Sequence, residues 1–326
     1  MQQMSFSDFE YSNKKKTTRK QRFLTKMEEI MPWERWIKII SRHYHDGKTG
    51  RPPKEIKVML RMYMLQAWYS LSDEGTEDLC YENITARNFL RLEYGETVPD
   101  ATTLMLFRHL LEEKGLCKEL FDDVAECLRR NGLMMQGGTI EDASIINAPS
   151  STKNKERKRD PEMSQTKKGG QYYFGMKVHC GADAGSGYAH TITATPANVH
   201  DVTESPKLCR LGDKVIYGDS AYCTALRHME AAGMDTNGIE VRTTGHSGRQ
   251  QKHRDGSGWT DMIESRTASM RSKAEHLFLI VKRQFGYCKT KYRGIKKNLA
   301  RLHILFASAN MLMCVRAGRA EEFCRG

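Results

Sequence analysis

The chain has no CxxC pair, no internal repeat, and no run of the roughly 20 apolar residues needed to span a bilayer. Its nine cysteines, odd in number and scattered, fit neither a disulfide framework nor a zinc site, and read as reduced thiols. The N-terminus is polar and acidic and lacks the apolar core of a secretory signal. The expected location is therefore the cytoplasm, with no membrane partner.

What is abundant is positive charge. The 326 residues carry a formal net charge of +12 at pH 7. Lys and Arg in such excess favour a polyanionic partner, because they displace the counterions condensed on phosphate. At this length the chain can build one large core or two modest domains.

Texture divides the chain. Residues 1–22 form a basic arm, with the run Asn13 to Arg22 nearly free of apolar residues. From 23 to 131 the periodicity is helical. Met27, Ile30, Trp33, Trp36, Ile37 and Ile40 recur at steps of three and four, as do Ile56, Met59, Leu60, Tyr63, Met64 and Ala67. A turn-rich loop at Gly47–Pro53 separates the two rows. Ser72 or Asp73 can cap one later helix, and Asp100 or Thr102 another. Several short helices joined by tight turns suit a helix-turn-helix reader or a plain helical bundle.

At Gly137 the pattern turns to strands: 139–146, then 172–180 and 188–195 as an antiparallel hairpin, then 214–218 and 238–243. Helices are expected at 200–211, 224–232, 261–285 and 297–316. Thr244–Thr260 is polar and glycine-rich and reads as a loop. So does Lys153–Lys168, which is crowded with Lys and Arg. Three consecutive strands followed by alternating helices and strands is the order of RNase H-like folds. The expected fold class is thus α/β, an RNase H-like mixed-sheet catalytic domain (132–318) behind an all-helical N-terminal domain (23–131), with a short tail at 319–326.

Phosphodiester chemistry by two metal ions needs converging carboxylates. Mg²⁺ prefers oxygen ligands and keeps several waters, so two or three acidic side chains suffice. Three positions suit that need. Glu141 and Asp142 sit inside the first strand and face opposite ways, so only one of them can enter a site. Asp219 follows the apolar strand 214–218, at the carboxyl end where ligands of open α/β sheets collect. Glu275 lies on the long helix with Arg271 and Lys282, four and seven residues away on the same face.

The motifs around these acids resemble those of insertion-sequence transposases of the IS-five group. Gly138 to Ala143, Arg159 to Met163, Phe174 to His179 and Ala197 to Asp201 resemble the first acidic motif and its surroundings. Asp219-Ser220-Ala221-Tyr222 resembles the second, and Arg271, Glu275 and Lys282 followed by Arg283 to Tyr287 resemble the third. Lys291-Tyr292-Arg293-Gly294 and Ala309-Asn310 extend the match, which covers residues 20–315. The resemblance implies that Asp142, rather than Glu141, joins Asp219 and Glu275 as catalytic metal ligands. It implies two ions, Mg²⁺ or Mn²⁺, and a bacterial, nucleoid-associated enzyme. It also implies double-stranded DNA as partner, at the element's ends and at the target, and a homodimer on that DNA. A broader signature of these enzymes has tyrosine three residues before the arginine; Ala268 stands there instead.

Further basic residues are candidates for phosphate. Lys177 and His179 share one strand face, while Lys291 and Arg293 belong to a cluster after the long helix. Arg61, Arg87 and Arg91 are candidates for recognising the element's ends. Tyr287 and Tyr292, set among lysines, are candidates for stacking on an unpaired base. Two other readings share the fold: a DNA-binding protein that has lost the chemistry, and a nuclease without end specificity.

Overall fold

The computed structural model describes residues 16–45, 52–93, 95–244 and 259–325. Among the described residues, the stretch from Arg19 to Arg130 is built of helices alone: α1 (Arg19–Ile30), α2 (Trp33–Ser41), α3 (Ile56–Tyr69), α4 (Asp73–Glu82), α5 (Ile84–Leu90), α6 (Ala101–Glu113) and α7 (Leu116–Arg130). Four of their starts carry side-chain oxygens that accept orphan backbone amides. Thr18, Ser72, Asn83 and Asp100 do this for α1, α4, α5 and α6. The apolar row from Met27 to Ile40 is not one helix, because Pro32 ends α1 and precedes α2. The basic arm also ends earlier than its composition predicts: Arg19 to Arg22 already form the first turn of α1. The first part of the arm and most of the Gly47–Pro53 loop lie outside the described residues.

The sheet follows, with β1 (Gly138–Asn147), β2 (Ser164–Lys168), β3 (Gln171–Asp183), β4 (Ala189–Pro196), β5 (Val215–Gly218) and β6 (Glu240–Thr243). The strands are ordered β2-β3-β1-β5-β6, and β4 also pairs with β3. The β1–β3, β2–β3 and β3–β4 pairs are antiparallel, whereas β5 runs parallel to both β1 and β6. Strand β2 is a correction. Its residues lie in the expected basic loop, because a polar edge strand carries no apolar alternation to betray it.

Short helices α8 (Ser205–Leu208) and α9 (Ala225–Ala231) flank β5. The long helix α10 (Trp259–Leu279) continues into a π-helical turn at Ile280–Gln284. Most of the Thr244–Thr260 loop lies outside the described residues. Helix α11 (Ile295–Arg316) and α12 (Ala320–Cys324) complete the chain. The tail is therefore not loose: Phe323 is buried, and its carbonyl accepts from Cys127 Sγ and Asn131 Nδ2.

Helix α11 has the length and composition of a membrane span, contrary to the reading of the bare sequence. Its apolar girth has another use, since a helix hydrophobic all round is also what a protein core requires. It is mostly buried, packing against α7, β4, α1 and α3. Trp68 Nε1 donates to Ser308 Oγ at 2.9 Å, and Arg301 donates to the Gln66 carbonyl. One apolar cluster accordingly runs from Leu24 and Trp36, through α3, to Ile140, Met176, Leu277 and Phe306.

The motif residues 159–163 and 291–294 meet at the start of α11. Asp160 Oδ2 accepts from the Gly294 amide at 2.7 Å, and Glu162 Oε2 from the Ile295 amide at 2.8 Å. Two carboxylates on the amino end of a helix complement its dipole as well as its free N–H groups. Arg293 pairs with Glu156 at 2.6 Å, and Lys291 Nζ donates to the Ser70 carbonyl at 3.0 Å.

Candidate active site

Side chains on β1 alternate, and the two acids part accordingly. Glu141 is fully buried on one face, where Ser205 Oγ donates to its Oε2 at 2.5 Å. Burial pushes its carboxyl up to about 7. Asp142 is half-buried on the other face, on which α10 lies across the sheet.

The parallel register of β1 and β5 pairs Gly138 with Val215, Thr139 with Ile216 and Ile140 with Tyr217. Asp219 and Asp142 follow that last pair by two residues each, on strands roughly 4.8 Å apart, and the Asp219 charge is felt at the Asp142 carboxyl. Asp219 is held by its own turn, its Oδ1 accepting from the Ala221 amide at 2.8 Å. Gly218 precedes it for a steric reason: a β-carbon there would sit 2.7 Å from the side chain of Tyr222, which folds back over the strand end.

Helix α10 brings the third acid and two cations. Glu275 is exposed on the helix, yet its charge is felt at Asp142. Burial pushes the Asp142 carboxyl up to about 6; Asp219 and Glu275 add to the shift, while the Ala143 amide and Arg271 oppose it. Arg271 is half-buried and donates to Thr244 Oγ1 at 3.0 Å, immediately after β6. Lys282, on the π-helical turn, donates to the Ile145 carbonyl at 2.7 Å. Burial lowers its ammonium pKa, with the Lys168 charge adding to that and Asp142 opposing it. The three acids, Arg271 and Lys282 thus form one electrostatic neighbourhood.

Other candidates lie elsewhere. His179 pairs with Ala143 and Lys177 with Ile145 across β1–β3, which sets both on the Glu141 face. There Lys177 binds Asp201 at 2.8 Å and His179 Nε2 meets Thr195 Oγ1 at 2.8 Å. Burial lowers the His179 imidazole to about 4, so it is neutral near pH 7. Arg61 is 1% exposed, binds Glu28 and the Phe89 carbonyl, and lies over the Trp33 ring. It is an internal tie and offers DNA nothing to touch. Arg91 pairs with the same Glu28, and Arg87 donates to the carbonyls of Glu93 and Glu96. Tyr287 is fully buried, and Tyr292 is half-buried with both Arg108 and Arg301 against its ring and Arg301 bonded to its hydroxyl. Neither ring is free to stack on a base.

Sequence reasoning missed Thr244, which ends β6 much as Asp219 ends β5, the signal that was available; Lys168 was read as part of a basic loop that could clamp DNA, and the structure places it at the end of strand β2.

Among the described residues, no three His, Cys, Asp or Glu side chains already enclose a point as a closed metal site would. The donor set is nevertheless chemically suited to a hard divalent cation, being oxygen throughout. The Asp142 carboxyl is pressed toward the neutral form by burial and by two neighbouring acids, and a cation there would reverse that pressure.

Residues 135–311 match the family model described as Transposase DDE domain, and residues 12–110 match Transposase domain (DUF772). A solved piggyBac transposase synaptic complex with hairpin DNA is 12% identical, with a TM-score of 0.45, over 94% of this chain and 78% of that one.

Proposed function

As the chain belongs to the DDE transposases, we propose that it binds the ends of an insertion sequence, cuts them, and joins the freed 3′-hydroxyl to target DNA at Asp142, Asp219 and Glu275. The observation that carries this reading is the register that sets Asp142 beside Asp219, beneath the helix bearing Glu275 and Arg271. The sheet, in which β1 to β4 pair antiparallel and β5 and β6 continue parallel beside β1, agrees with an RNase H-like core.

The three carboxylates would hold two divalent ions, Mg²⁺ or Mn²⁺, which would supply activation of the attacking oxygen and charge stabilisation of the departing one. The rest falls to the chain. Asp142 and Asp219 are fixed by the sheet, one within a strand and one at a strand end. Glu275 is on a helix surface and completes the set by rotamer choice, which its exposure permits. Arg271, braced by Thr244, and Lys282, braced by Ile145, present cations to the phosphates on either side of the cut.

The helical half, 23–131, together with the basic arm, reads the ends of the element, and 132–318 forms the catalytic domain. Lys291 and Arg293 touch the DNA backbone beyond the acids. Two copies on two ends make the working assembly, in the bacterial cytoplasm at the nucleoid.

The test is purified protein with labelled end DNA and Mg²⁺. Strand-transfer product supports the reading. Binding without cutting points to a DNA-binding protein that has lost its chemistry, and degradation regardless of ends points to a nuclease.

A further inference from the structure

The face of β3 that carries the active site does not stop there. Cys180 pairs with Asp142, so the alternation along β3 puts Val178, Met176, Phe174 and Tyr172 on that same face. Val178 and Met176 are buried beneath the helices. Beyond them the face opens. Arg159 lies over the Phe174 ring at 5.2 Å, and Lys167, directly across from Tyr172, lies over that ring at 5.4 Å. Tyr172 is 64% exposed, one of the few large apolar side chains at the surface.

The support under Tyr172 is a regular two-stranded hairpin. Strands β2 and β3 join through Gly169 and Gly170, both with positive φ, a two-residue turn that matches strand twist. Lys168, beside that turn, is close enough to Lys282 for its charge to be felt there. Cations thus continue from the acids to the hairpin tip.

We infer that the β2–β3 hairpin is a stacking platform for an unpaired base of the DNA that flanks the cut, with Tyr172 supplying the ring and Lys167 a phosphate contact. The inference takes its DNA partner from the transposase reading. Eight residues of β3 separate Tyr172 from Cys180, roughly 26 Å of strand. At roughly 3.4 Å per nucleotide this places the base about seven or eight nucleotides from the reacting phosphate. Charge selects a polyanion, and an exposed ring held on a hairpin selects the flat face of a base.

The test measures binding alone, without metal. Fluorescence anisotropy compares a labelled duplex of mixed sequence with the same duplex carrying an unpaired bubble. The wild-type protein is expected to prefer the bubble, and Tyr172→Ala to lose that preference by roughly 5- to 100-fold. Tyr172→Phe keeps the preference, because the ring remains. Lys167→Ala weakens both ligands alike. The inference is overturned if the wild type shows no preference or if Tyr172→Ala retains it. It is equally overturned if Tyr172→Ala weakens both ligands alike, or if that variant changes the oligomeric state on a sizing column. The Asp219→Asn protein keeps the bubble preference while losing cleavage, so a failure of the platform and a failure of the acid assignment are told apart.

Discussion

Asp219 lies close enough to Asp142 for its charge to be felt there, two residues past the point where the β1–β5 pairing ends at Ile140 and Tyr217. A one-residue slip would turn one of the two carboxylates to the other side of the sheet. The meeting of these acids therefore depends on the sheet register together with the turn that holds Asp219.

Asp219→Asn keeps the size and the amide-accepting oxygen of the turn but removes the charge. Metal-dependent cleavage should fall by more than the 10- to 100-fold typical of an outer-shell partner, roughly a thousand-fold. DNA affinity should be unchanged. Gel assays of cutting and binding on one preparation check both halves, and persistent cutting would remove Asp219 from the site.

The Asp142 carboxyl, held at about 6, makes the metal-free protein pH-sensitive. A carboxyl raised above its unfolded value binds protons more tightly in the folded state. Stability therefore declines as pH rises from about 4 through 6. Asp142→Asn abolishes the ionised form, so it should raise the melting temperature at pH 7.5, by a stabilisation on the order of 1–3 kcal/mol. The gain should vanish near pH 4. An equal gain at both pH values would show that the titration of Asp142 is not its cause.

Lys282→Ala should weaken binding and make its salt dependence shallower. Loss of one phosphate contact reduces the slope of log K against log salt by about 0.9. A slope equal to the wild type's would confine Lys282 to its bond with Ile145.

Arg61→Ala should act on folding, not on DNA. It leaves the part-buried Glu28 with Arg91 alone and empties the space beneath Trp33. Removing one partner of a buried pair costs about 3–5 kcal/mol. Urea unfolding would register this loss, whereas a variant as stable as the wild type would contradict the internal role.

Gly218→Ala drives a methyl group into the Tyr222 side chain. The turn carrying Asp219 must shift, and a misplacement of about 1 Å can cost about 100-fold in rate. Comparing Gly218→Ala with the double variant Gly218→Ala/Tyr222→Ala checks the cause: the second change should restore part of the lost rate.

Much of this was legible in the sequence, because the informative residues are governed by local rules. Ser72 and Asp100 cap as their positions require, and the apolar run before Asp219 is a parallel strand. Which of Glu141 and Asp142 enters the site was not legible from spacing. Alternation fixes only that they differ, and the face is chosen by α10, distant in the chain. Lys177 and His179 were placed near the cut because they share a strand face. That face proved to be the one opposite Asp142, a fact decided by the cross-strand register. Arg61 looked like a surface cation because nothing local announces Glu28, 33 residues earlier, as its partner.

Helix α11 is a keel common to both halves, joined to α3 by Trp68 and Arg301 and to the sheet by Asn310, which exchanges hydrogen bonds with the backbone of Ala189. With these ties crossing it, the helical half and the sheet close over one shared apolar interior, so a substitution that loosens this helix should be felt on both sides of it.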